Sequence, residues 1–215
     1  MCSDSQATAG SEWKTLSAKK IHIINKRNPP LVVGIAGNPS YGGYAIRQLM
    51  KLEEYTIEDV EETVGGVYDK FIDREVKRGS GGLGYVMSVI LQESGALHIY
   101  RVSEEGVAQL MSEPPYLCIG SGTIWADWLM SEFGITVLNS IEALELASYV
   151  IGMTSQVDPN VGGNVQAVRV VSPSKQGIAV QVVGQTYAGM METSIKKRKL
   201  LQSFCMPSAI RKSER

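Results

Sequence analysis

Tyr116-Leu117-Cys118-Ile119-Gly120-Ser121-Gly122-Thr123-Ile124-Trp125-Ala126-Asp127-Trp128 and, further on, Asp158-Pro159-Asn160-Val161-Gly162-Gly163 decide how this chain is read. The first segment reads as an apolar strand that stops at Gly120-Ser121-Gly122 and gives way to a short helix carrying Trp125 and Trp128. Such a junction presents free backbone N–H groups and one hydroxyl at a single point. A longer helix follows and ends at the second segment, a polar turn with a carboxylate and two glycines. Two polar turns bracketing a helical pair form the rim of a candidate site, which the rest of the chain supports.

Outward from this rim the pattern alternates in pairs. Residues 164–171 and 177–184 make a hairpin around Ser172-Pro173-Ser174. Upstream, residues 85–92, 97–102 and 107–111 form a meander of short antiparallel strands, broken at Ser94-Gly95 and Glu104-Glu105-Gly106. Gly79-Ser80-Gly81-Gly82-Leu83-Gly84 matches G-x-G-x-x-G, but it follows a helix and precedes a strand. Dinucleotide binding needs the opposite order, so this segment reads as a turn. One helix is predicted over residues 41–55. A second starts at Thr56, an N-cap, and Ile57, Val60, Val64, Val67 and Phe71 recur along it as one buried stripe. Gly65-Gly66 interrupt that stripe at a cost of about 1 kcal/mol each. Residues 21–24 and 31–37 read as a hairpin around Pro29-Pro30, and the small, polar residues 1–10 as a loop. His22 and His98 read as sheet residues, and the basic segment from Lys196 to Arg215 as a solvated tail.

The bulk numbers exclude several classes. With 215 residues and 44% apolar content the chain suits one domain with a sizeable core. A net charge near −1 gives no reason to expect nucleic acid or an anionic membrane as partner. Cys2, Cys118 and Cys205 are odd in number, far apart and without metal-ligand spacing, which fits a reducing compartment. No apolar run reaches spanning length and no charged-then-apolar leader opens the chain. A soluble cytoplasmic protein without cofactor or metal is the expectation. The element order predicts an α+β fold, two antiparallel sheets with a helical pair on each outer face, in a four-layer αββα sandwich. The domain is expected to span residues 1–185, with 186–215 as tail.

Five segments, in this order, resemble the proteasome β-type subunits and their bacterial two-ring relative, members of the N-terminal nucleophile (Ntn) hydrolase superfamily. Asp4-Ser5-Gln6-Ala7-Thr8-Ala9-Gly10 is similar to the family's D-x-(R/Q)-A-T-x-G, and Lys19-Lys20-Ile21 to its lysine before a strand. Val33-Gly34-Ile35-Ala36-Gly37 resembles the next strand and its A-G turn. Ile119-Gly120-Ser121-Gly122 resembles the I-G-S-G element, and Asp158 to Gly163 the D-x-x-S-G-G turn. The resemblance covers nearly the whole of residues 3–185.

That resemblance implies a barrel-shaped, self-compartmentalised threonine protease for intracellular protein degradation. Lys20 would lower the pKa of the attacking hydroxyl, Asp4 would hold Lys20 as a cation, and Ser121 and Asp158 would orient the terminal amine. Its partners would be like subunits in a homo- or hetero-oligomeric ring, unfolded polypeptide substrates and an ATPase unfoldase. Two departures stand out. Val161 replaces the serine of the turn, and the family's threonine lies well upstream of the aspartate, whereas this sequence begins three residues before Asp4. The resemblance therefore implies a subunit given without its first strand and nucleophile. Cys2 as substitute nucleophile is disfavoured by the matched spacing. A non-catalytic ring subunit is the alternative, and a phosphate-binding enzyme using Gly120-Ser121-Gly122 is a remote third.

Overall fold

The computed structural model describes residues 1–4, 6–9, 13–15, 18–24, 30–53, 55–133, 140–171 and 179–184, and every statement below concerns these. The predicted tail at 186–215 lies outside them.

The centre of the molecule is a five-stranded antiparallel sheet whose strands lie side by side in chain order. Its strands are β4 (Ile21–Ile24), β5 (Leu31–Gly37), β6 (Tyr85–Glu93), β7 (Ala96–Val102) and β8 (Ala108–Leu110). The predicted hairpin at its edge is present, with Ile21 opposite Gly34 and Ile24 opposite Leu31. Leu31, Val32 and Val33 are completely buried because both faces of β5 are covered. Val33 joins the core beneath the helices α1 (Pro39–Leu49) and α2 (Ile57–Lys77), while Val32 packs with Ile21, Ile90 and Val168 on the opposite face. Each such valine or leucine contributes about 1.5–3 kcal/mol.

Local chemistry sets the helix ends. Asn38 caps α1 by accepting from the Ser40 amide, with Pro39 at the first helical position. The helix thus begins at Pro39 and ends at Leu49, shorter than the predicted 41–55. Thr56 and Asp59 form a reciprocal capping box at the start of α2. Val60, Val64 and Val67 are the buried stripe. The helix runs unbroken through Gly65-Gly66, and the turn between β7 and β8 explains why it can. Ala108 N donates to Glu61 Oε1 at 2.8 Å, and a Cβ on Gly65 would stand 3.2 Å from Glu105 O. Gly65 therefore makes room for the turn. Gly66 faces open space. Gly66→Ala is expected to stabilise the protein by about 0.5–1 kcal/mol, read from the urea midpoint.

The glycine-rich segment before β6 has the inverted context read from the sequence, helix first and strand second. The amides where it enters β6 are occupied: Leu83, Gly84 and Tyr85 all donate to the Glu104 carboxylate. A protein carboxylate thus holds the turn.

The N-terminal segment corrects the expectation of a loop over residues 1–10. β1 (Cys2–Ser3) pairs antiparallel with β9 (Gln166–Val171), which pairs in turn with β10 (Ala179–Gly184). β2 (Ala7–Ala9) and β3 (Trp13–Thr15) form a hairpin of their own. The two predicted antiparallel sheets are thus present, and the β2–β3 pair adds a two-stranded ribbon to them. Strands two or three residues long carry almost no alternation, and the partner of β1 lies at the far end of the chain.

A second correction concerns Tyr116-Leu117-Cys118-Ile119, predicted as a strand. These residues pair with no sheet; Tyr116 and Cys118 pack instead on Met130, Leu146 and Val150. Those three belong to α3 (Thr123–Glu132) and α4 (Ser140–Thr154), the predicted helical pair. The helix α4 lies against β1 and β9, and β9 touches β4. No described helix is long and apolar enough to cross a membrane.

Candidate functional site

Lys20 stands immediately before β4, and its backbone is held on both sides. Its carbonyl accepts from Ile35 N at 3.0 Å, and its amide donates to Gln166 Oε1 at 2.9 Å. Its side chain reaches Asp4, just after β1, with Nζ 2.6 Å from Oδ1. The two side chains retain only 21% and 12% of their exposure, so this is a largely desolvated pair. Such a pair is stable only where further hydrogen bonds satisfy the carboxylate. Asp4 Oδ2 accepts from Gln6 N and from Gly162 N, both at 3.1 Å. Three donors thus converge on one carboxylate, two of them backbone amides from opposite ends of the chain.

Gly162 belongs to the second polar turn, and the fold dictates its lack of a side chain. A Cβ there would lie 2.6 Å from Gln6 Oε1. Gln6 is almost wholly buried and donates from Nε2 to Pro159 O at 2.6 Å. Asp158 is also buried, but its carboxylate serves its own turn, accepting from Asn160 N at 2.8 Å. The two polar turns touch. A Cβ on Gly122 would meet Val161 Cγ2 at 2.8 Å and Asp158 Oδ2 at 3.7 Å. Val161, which stands where the resembled family has serine, thus packs its methyl against Gly122.

Of the four residues singled out from the sequence, Asp4 and Lys20 are in direct contact. Asp158 joins them through the turn that carries Gly162. Ser121 lies on the neighbouring turn with its residue exposed. It does not cap α3: Gly122 holds the N-cap position, without a side-chain hydrogen bond. Gly120 and Ser121 line one end of a cleft of about 1140 Å³ between α3 and the β7–β8 edge, which Arg101, Met111 and Trp128 also line.

Cys2 points elsewhere. Its Sγ lies 3.8 Å from Leu144 O and 3.7 Å from Ser148 Oγ on α4, and burial pushes the thiol pKa up. Cys118 is pushed up to about 12 by burial, with the Asp127 carboxylate adding to it. Neither thiol is an activated nucleophile.

Gln6 and Gln166 are the residues that sequence reasoning missed in this role. Gln6 was read only as part of a motif, and nothing in the sequence marks Gln166. Their function depends on contacts between distant segments.

Solved structures share this arrangement of strands, turns and helices. No family model and no curated protein matches the chain. The ancestral beta-subunit Anbu from Yersinia bercovieri superposes with a TM-score of 0.70 at 18% identity, covering 96% of this chain and 92% of that one. Anbu from Pseudomonas aeruginosa, solved as a helical assembly, gives 0.74 at 17% identity, with 97% and 93% covered. A Gly-1 mutant of Anbu from Hyphomicrobium sp. strain MC1 gives 0.71 at 15% identity, with 96% and 92% covered. These neighbours correct the resemblance to proteasome β-type subunits and the two-ring peptidase, and with it the picture of such a subunit lacking its threonine. Anbu is proteasome-like in fold but a distinct family. The physical reason is plain. The matched motifs are the strand ends and turns that build the rim, so they mark the fold's site framework without separating its branches.

Proposed function

We propose that this chain is a subunit of a self-compartmentalising, proteasome-like assembly of like copies, and that the Asp4–Lys20 pair is the proton-handling half of an amide-hydrolysing centre. The observation that carries this reading is the 2.6 Å ion pair, with its carboxylate also bound by Gly162 N and Gln6 N. An ammonium fixed this way lies ready to stabilise a developing alkoxide, and the carboxylate keeps the cation in place. In threonine-type chemistry the attacking hydroxyl and its amine would belong to an N-terminal threonine, which the described residues do not place beside Lys20, and Asp158 and Ser121 would orient that amine. Unfolded polypeptide in the cytoplasm is the substrate, and an ATPase unfoldase is the partner that delivers it. The four-layer stacking belongs to the same reading: α1 and α2 cover one face of the large sheet, and α4 backs β1 and β9 beyond the other.

A wall subunit without chemistry is the second reading. It is favoured by Val161, whose methyl lies against Gly122 where a hydroxyl would serve the network. The two are separated with the native protein. Sedimentation and electron microscopy should show rings or helical particles, and the particles should hydrolyse a fluorogenic peptide. A monomer overturns the assembly; an assembled but inert particle selects the wall subunit.

A further inference from the structure

We infer that Gln166 is a positioning residue for Lys20, and that Gln6 does the same for Asp4. The inference rests on the ion pair being the working centre of the proposed function. Gln166 sits in β9, its backbone already in register with Ser3 of β1 and Gly184 of β10. Its side chain therefore has no ladder to complete within its own sheet. It reaches out and treats the segment before β4 as another strand. Oε1 accepts from Lys20 N at 2.9 Å and more weakly from Ile21 N at 3.4 Å, while Nε2 donates to Ala18 O. A single carboxamide thus reproduces the donor and acceptor pair of a strand neighbour and fixes the root of the Lys20 side chain.

Gln6 works at the other partner. Its amide donates to Asp4 Oδ2, and its side chain binds Pro159 O, which holds the turn whose Gly162 amide also reaches Asp4. Both partners of the ion pair are therefore placed by glutamines that touch neither charge with their side chains. One glutamine is drawn from each end of the chain, so the placement of the pair depends on β9 and on the 158–163 turn.

Selective lysine labelling tests this on the full chain. An ammonium held in an ion pair is modified slowly, and Lys19, exposed beside it, is an internal reference. Gln166→Met keeps the length of the side chain without its hydrogen bonds, and Gln166→Glu keeps the acceptor without the donor. Reductive methylation followed by peptide mass spectrometry should show the Lys20-to-Lys19 rate ratio rising about fivefold in Gln166→Met, the worth of one ordinary hydrogen bond. The rise should be smaller in Gln166→Glu. An unchanged ratio in both variants overturns the assignment. So does a rise of both lysines together, since that reports general loosening. The ratio is independent of hydrolysis, so an inert wild-type particle would end the proposed centre without altering this result.

Discussion

On the proposed function, Lys20→Met in the assembled protein should lower peptide turnover by about a hundredfold or more, the usual worth of a positioned proton-handling group. Methionine keeps most of the stem, so the site should not collapse. Asp4 would still accept from Gln6 N and Gly162 N, which leaves the turn at 158–163 in place. Loss of the cation should therefore cost only about 1–3 kcal/mol of stability, less than for a fully buried pair, because 21% of the Lys20 side chain remains exposed. The contrast is the diagnostic feature: a large fall in kcat beside a small shift in the urea midpoint and an unchanged particle size. A fall in turnover that merely follows loss of the particle would mean that Lys20 supports structure alone.

Gly106→Ala should be among the most destabilising single-methyl additions in the molecule, at about 3 kcal/mol or more. Gly106 has φ +85°, a conformation that costs a side chain about 1–2 kcal/mol. Its Cβ would also stand 2.6 Å from Gly65 N and 2.9 Å from Gly65 Cα, and closer still to Glu61 O. All three are backbone atoms of α2, which cannot swing aside as a side chain can. Relief would require lifting the β7–β8 turn and breaking the Ala108–Glu61 hydrogen bond. Gly95→Ala is the control, with φ +84° and nothing within 4 Å, and should show only the backbone cost. Equal losses in the two variants, measured by urea unfolding, would contradict the packing described for this turn.

What could be read from the sequence follows from where each signal lies. The hairpin of β4 and β5, the meander from β6 to β8 and the stripe on α2 are specified by residues close together in the chain. Alternation, turn glycines and the Thr56 cap made them legible. β1 was illegible because Cys2-Ser3 is short and its partner, Ala167 opposite Cys2, is remote. Tyr116-Leu117-Cys118-Ile119 misled for the converse reason. Four apolar residues in a row suit a buried strand and equally suit a strut packed under two helices, and periodicity cannot separate these over so short a run. At the site, the ordered motifs pointed to Asp4 and Lys20, which the fold brings together. They did not reveal Gln6 and Gln166, because a glutamine that clamps a distant backbone leaves no spacing to detect. They also did not distinguish one proteasome-like family from another.

Asp4 and Lys20 should act as one unit, which a double-mutant cycle on the assembled protein measures. Peptide turnover would be measured for wild type, Asp4→Asn, Lys20→Met and the double variant. Residues that act together lose their effect once, so the double variant should be no slower than Lys20→Met by more than about twofold. Losses that multiply, or a Lys20→Met particle as active as wild type, would mean that the two residues do not form a working pair.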